Sequence, residues 1–134
     1  MSFLPEEDRN FLADKQIKYR EHEESNQRGL IIEAMSVPGH LRALVNGVLC
    51  AVKAAEILVM IPAGYNTARL DSFYTRPHLK RVDGSPPNCA TGSLNFATTE
   101  WQFWSRHLDE NVWRPGVDGM EMYLQLIRRA LETA

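Results

Sequence analysis

Ser105 and His107 flank Arg106 in the run Trp104-Ser105-Arg106-His107. In an extended chain, side chains two apart share a face, so the imidazole would lie beside the hydroxyl while Arg106 faces the other way. An imidazole in that place can take the hydroxyl proton during attack on a carbonyl and return a proton to the leaving group. That is the start of a Ser-His relay. A second nucleophile, Cys89, stands earlier in the chain. A thiol ionises far more readily than an alcohol, so Cys89 is intrinsically the better nucleophile. The plainer readings are a backbone-bonded hydroxyl for Ser105, a satisfied structural histidine for His107 and a loop thiol for Cys89.

Other chemistries find little support. Cys50 lies in an apolar run and is expected to be buried and inert. Two cysteines do not make a disulfide framework. The four histidines are scattered and no CxxC or HxxxH spacing occurs, so neither a metal nor another cofactor is expected. A formal net charge of -2 gives no bulk attraction to nucleic acid or anionic membrane. The start, MSFLPEEDRNFL, lacks the basic-then-apolar layout of a signal peptide. The longest apolar stretch, 54–63, is broken by Glu56 and is too short to span a bilayer. The simplest address is the cytoplasm.

The nucleophiles must be held by a folded body. With 134 residues, 44% hydrophobic and 24% charged, the chain reads as one globular domain over 1–134. Leu4-Pro5-Glu6-Glu7-Asp8 marks a helix start, with proline in the first turn and acids at the positive dipole end. Segments 17–23 and 29–35 read as strands around a charged turn. Segment 40–52 has mixed periodicity that fits helix or strand, and the favoured reading is a hairpin arm turning at Asn46-Gly47. Segment 56–62 is apolar on both faces and should lie centrally in a sheet. Phe73-Tyr74-Thr75 is a further short strand, and 76–99, rich in Pro, Gly, Ser, Asn and Thr, reads as a long irregular segment. Met120, Tyr123, Leu124, Ile127 and Leu131 fall on one helical face, with Asp118 as the expected cap. The plan is α+β, with helices packed against one antiparallel sheet.

This order resembles that of ubiquitin-conjugating enzymes: a helix, a four-stranded antiparallel meander, a long flap carrying the nucleophile, and C-terminal helices. Ile61-Pro62-Ala63-Gly64-Tyr65-Asn66 resembles their Pro-x-x-Tyr-Pro turn, with Asn66 in place of the second proline, and Trp113-Arg114-Pro115 resembles their Trp-Ser-Pro. The closer resemblance is to prokaryotic ubiquitin-conjugating family E. Its motifs stand here as Pro62-Ala63-Gly64-Tyr65, Trp104-Ser105-Arg106-His107 and Trp113-Arg114-Pro115-Gly116-Val117-Asp118. The likeness is good over 56–132 and extends to the first third only in the order of elements.

The resemblance implies a ubiquitin-conjugating-like fold and a bacterial conjugation pathway of the anti-phage kind. Its partners would be a ubiquitin-like modifier, an adenylating activating enzyme docking on the N-terminal helix, and target proteins. Such enzymes carry the modifier's C-terminus as an ester on a nucleophile, which an amine then attacks. The family's nucleophile lies eight residues before the Trp of Trp-Ser-Pro, and eight before Trp113 is Ser105. His107 would then protonate the departing alkoxide, and Arg106 would bind the modifier's C-terminal carbonyl or an acid of a partner. Cys89, 24 residues before Trp113, is the alternative, as a thioester carrier. The family's His-Pro-Asn, whose Asn stabilises the oxyanion, has its nearest relic in Pro86-Pro87-Asn88, 17 residues before Ser105. His78 is a loop residue or a stand-in for the family's histidine. The tryptophans are read as packing, and Pro62 and Tyr65 as turn residues. The competing function is a non-catalytic module that binds the modifier or the activating enzyme.

Overall fold

The computed structural model describes residues 2–90, 92–105 and 113–134. Its first helix, α1, spans Glu6–Asp14 with Pro5 at the N-cap position and Glu6, Glu7 and Asp8 in the first turn. The fixed φ of proline and the attraction of carboxylates to the unpaired N–H groups account for this start. A nine-residue helix does not hold alone. Leu12, fully buried, and Asp8, nearly so, anchor it to the body.

Among the described residues nine strands follow in chain order: β1 Tyr19–Glu24, β2 Gln27–Ser36, β3 Leu41–Val45, β4 Val48–Cys50, β5 Ala54–Ile61, β6 Phe73–Arg76, β7 His78–Arg81, β8 Gly92–Phe96 and β9 Thr99–Trp104. The second helix, α2, is Met120–Glu132. Six strands form one sheet in the order β1-β2-β5-β6-β9-β8, and three form another in the order β4-β3-β7. All pairings are antiparallel.

Three two-residue hairpins set the registers. Ser25-Asn26, Asn46-Gly47 and Ala97-Thr98 all have positive φ at both positions, the backbone whose twist matches paired strands. The expected turn at Asn46-Gly47 is therefore present, and it separates β3 from β4.

Strand β5 lies between β2 and β6, as its two apolar faces require. Ile57, Val59 and Ile61 join the main core with Leu12, Tyr123, Leu124 and Ile127. Leu58 points the other way, into a small cluster with Ile31, Phe96 and Trp101. Gly29 belongs to that second face. A Cβ there would lie 2.5 Å from Phe96 Cε2 and 2.8 Å from Leu58 Cδ1. The absence of a side chain is what lets the Phe96 ring close down on β2.

Two expectations are corrected. The stretch 76–99 is not one long irregular segment: it holds β7 and β8 and reaches β9, so the main sheet has six strands instead of four. These strands are short and carry few β-branched residues, and their hairpin turn, Ala97-Thr98, lacks the glycine or asparagine that advertises such turns. Asp118 does not cap α2. The N-cap is Gly119, with no capping side chain of its own. The acceptor comes from the far end of the chain, where Asp8 Oδ1 receives the Met120 N–H at 3.1 Å. Asp118 instead receives Arg114 N–H (2.8 Å), Nε (3.0 Å) and Nη2 (2.7 Å), which closes the Trp-Arg-Pro-Gly-Val-Asp loop on itself.

The apolar stripe foreseen on α2 is buried as expected, with Ala130 added to it. Among the described residues, no helix is long and apolar enough to cross a membrane.

Candidate functional site

The sheet presents Ser105 directly after the end of β9. Its position is set by a chain of buried hydrogen bonds in the strand before it. Trp104 Nε1 donates to Thr75 Oγ1 (3.0 Å), and Thr75 Oγ1 donates to Gln102 Oε1 (2.9 Å). Gln102 then pairs with both backbone groups of Leu79, accepting from its N–H (2.7 Å) and donating Nε2 to its carbonyl (2.9 Å). Gln102 and Thr75 are 2% and 0% exposed, so these bonds are shielded from water. Every polar atom has a partner, the condition under which a buried network rigidifies. It ties β9 to β6 and couples the main sheet to β7 of the smaller one.

Ser105 in turn fixes Cys89. Its N–H donates to the Cys89 carbonyl at 2.7 Å and its hydroxyl donates to the same oxygen at 3.1 Å. Cys89 has φ +64°, a left-handed residue in a turn closed by Ala90 N–H to Pro87 O at 3.3 Å. Its thiol is free and exposed. Separation along the sequence had set Cys89 apart from the nucleophile position, but the fold brings the two residues together.

Asn88 is oriented from behind. Arg81 Nη2 lies 2.7 Å from Asn88 Oδ1. A guanidinium only donates, so the amide oxygen must face Arg81 and the amide N–H₂ is turned away as a donor. Arg81 is itself held by the loop after β7, where its N–H donates to Ser85 O and its carbonyl accepts from Gly84 N–H, both at 2.9 Å. Within that loop Ser85 N–H and Oγ both donate to Asp83 Oδ1 and hold its carboxyl below the usual carboxylate range.

Arg106 and His107 lie outside the described residues. His78 opens β7, so it is a strand residue and not a loop residue. Cys50 is exposed on β4, not buried: β4 is an edge strand of three exposed residues, so its apolar character does not translate into core packing. Among the described residues, no group of three His, Cys, Asp or Glu side chains could hold a metal ion.

The remaining motif residues hold the frame. Tyr65 donates its hydroxyl to Asp8 Oδ2 at 2.5 Å and packs against Trp113 with ring centroids 6.2 Å apart. Burial, the hydrogen bond to Asp8 and that residue's charge push the Tyr65 phenol far above its ordinary range. The Asn66 carbonyl accepts from Trp113 Nε1 (2.9 Å) and Gly116 N–H (3.2 Å), and Asn66 Nδ2 donates to Asp118 O (2.9 Å). The Pro-Ala-Gly-Tyr-Asn turn and the Trp-Arg-Pro loop are thus two halves of one interlock, and Asp8 joins both to the helices. Sequence reading gave Asp8 only a dipole role. Its partners lie 57 and 112 residues away, and no local signal announces them. Trp101, Trp104 and Trp113 are buried, at 0%, 0% and 5% exposure, in keeping with packing.

A layered α+β body in which the backbone of an exposed cysteine is bonded to a strand-end serine, with the amide of the preceding residue oriented by an arginine, suits acyl transfer. The family model of prokaryotic E2 family E matches residues 4–134, and the chain belongs to that family. The match takes in the N-terminal third, where motif resemblance was weak. No curated protein and no solved structure matches the chain. Family membership gives it a conjugating-enzyme-like place in a bacterial pathway.

Proposed function

We propose that the chain accepts the C-terminus of a ubiquitin-like modifier from an adenylating activating enzyme, as a thioester on Cys89, and passes it to a target amine. The observation that carries this reading is the double hydrogen bond from Ser105 to the Cys89 carbonyl. It joins the backbone of a residue with an exposed thiol to the serine at which the family's spacing looks for a nucleophile, and that supports the reading. It also occupies the serine hydroxyl with a carbonyl oxygen, which cannot take a proton from it. In the charging step the Cys89 sulfur attacks the modifier's acyl-adenylate carbonyl; the C–S bond forms, the C–O bond to the adenylate phosphate breaks, and the thiol proton goes to solvent. Asn88 Nδ2, turned away from Arg81, is the donor for the oxyanion.

The second reading places an oxyester on Ser105, with His107 as its base and Arg106 binding the acyl carbonyl. What favours it is the eight-residue interval to Trp113. The partners in either case are the modifier, its activating enzyme and target proteins, within a bacterial anti-phage conjugation system. Helix α1 presents exposed Glu6, Glu7, Arg9 and Asp14 as the docking face for the activating enzyme.

Mixing the chain with its activating enzyme, modifier and ATP tests these readings. A covalent adduct that is lost with thiol reductant and absent in Cys89→Ala is the expected result. An adduct that survives reductant, is cleaved by hydroxylamine and vanishes in Ser105→Ala assigns the ester to serine. No adduct with active partners makes the chain a binding module.

A further inference from the structure

A polar cavity of about 430 Å³ opens between the two sheets, within the size range of small-ligand sites. The loop that carries Asn88 and Cys89 forms one wall, through Pro86 and Ala90. His78 and Lys80 of β7, Ser93 of β8 and Glu100 of β9 supply the polar lining. The site described above uses none of these four side chains.

Two of them form an unusual pair. His78 Nε2 is buried and, among the described residues, makes no hydrogen bond. It nevertheless lies 3.1 Å from Glu100 Oε1, close enough for an ion pair once the ring is protonated, but not in hydrogen-bonding alignment. A buried ring nitrogen without a hydrogen bond carries a desolvation penalty that an incoming donor would relieve. The Glu100 side chain is 60% exposed and that of His78 30%, so a cation arriving from solvent meets the carboxylate first. Lys80 is the other charge on the cavity wall. Its like charge disfavours keeping a second ammonium protonated there.

We infer that this cavity is the acceptor-amine pocket of the carrier: it takes the ammonium of a target lysine, Glu100 holding the head group and His78 Nε2 accepting its proton. The inference rests on the carrier reading above and gives it a substrate class and a base. The step balances. The amine nitrogen attacks the thioester carbonyl carbon, a C–N bond forms, the C–S bond breaks, and Cys89 leaves as thiolate. One proton of the ammonium passes to His78 Nε2 before attack, and the second passes to the thiolate or to solvent as the tetrahedral intermediate collapses. The histidinium that results is paired by Glu100.

The test separates this pocket from the carrier function itself. The full chain is loaded with modifier by the activating enzyme, ATP is removed, and decay of the adduct is followed with free lysine and, separately, with hydroxylamine. Hydroxylamine is uncharged at neutral pH and needs neither the carboxylate nor the base, so the ratio of the two rates isolates what the cavity does for an ammonium. The ratio should fall by about tenfold or more in Glu100→Gln and in His78→Gln. A smaller fall in either folded variant overturns the pocket while leaving the adduct, and the carrier reading, intact. Glu100→Gln alters a largely exposed side chain and decides the matter if His78→Gln does not fold. Failure of the wild-type chain to form any adduct overturns the carrier reading, and the pocket with it.

Discussion

Ser105 directs two donors at one atom, the carbonyl oxygen of Cys89, its N–H at 2.7 Å and its hydroxyl at 3.1 Å. The relation makes the loop residue Cys89 an extension of β9. The strand is tied by Trp104 to Thr75, and Thr75 to Gln102, so the Cys89 backbone is anchored to a buried network. The backbone half of the Ser105 contact survives replacement of the side chain. Cys89 should therefore stay in place in Ser105→Ala, and the two nucleophile readings can be separated by single substitutions.

Gln102→Leu should lower stability by about 2–4 kcal/mol, because it leaves the buried Leu79 N–H and carbonyl without partners and the Thr75 hydroxyl without an acceptor for its proton. Urea unfolding measures this. A loss below about 1 kcal/mol, the ordinary net worth of one hydrogen bond, would show that the network is not what joins the two sheets.

Asp8→Ala removes the shared acceptor of Tyr65 O–H and Met120 N–H, and about 2–3 kcal/mol of stability should go with it. Asp8→Asn retains a carbonyl oxygen and should lose less. Tyr65→Phe leaves the Met120 contact intact and should fall between wild type and Asp8→Ala. A different order in thermal melts contradicts the bridging role.

Gly29→Ala drives a methyl group into the Phe96 ring and the Leu58 side chain, at a cost of about 1–3 kcal/mol. Gly29 does not have positive φ, so the penalty is steric. Shrinking the ring with Phe96→Leu should recover part of it. A double-mutant cycle that proves additive would exclude this contact as the cause.

Asp118 has a carboxyl held below the usual range by the Arg114 guanidinium, with the Arg114 N–H adding to it. A folded-state pKa lower than the unfolded one contributes stability above the unfolded value, about 3.9 for an aspartate, and loses it as pH falls through the folded value. Melting temperature followed against pH should show Asp118→Asn less stable than wild type at neutral pH, with the gap closing only below about pH 4. A gap independent of pH would mean that the carboxylate's charge plays no part in closing the loop.

Local pattern alone placed much of this molecule. Helix α1 starts at its proline and acids, α2 carries its foreseen stripe, β5 is central because both its faces are apolar, and Asn46-Gly47 turns a hairpin. These are properties of neighbours within a turn or two, which side-chain chemistry and backbone preference decide before any long-range contact forms. Two of the motifs that pointed to the family, the Pro-Ala-Gly-Tyr turn and the Trp-Arg-Pro loop, stand together, locked through Asn66 and Trp113.

Tertiary structure decided the rest. Strand β7 owes its existence to β3, far back in the chain, and β8 to β9, which the sheet holds in place; the residues of both have weak extended preference. The cap of α2 comes from α1, because the orphaned N–H of Met120 needs an acceptor and Asp118 is occupied by Arg114. Most consequentially, residues 89 and 105 meet. Spacing along the chain separates a cysteine from a serine; hydrogen bonding across the sheet end joins them. The sequence carries the two nucleophiles and the family to which the chain belongs, while the neighbourhood of each nucleophile is a product of folding.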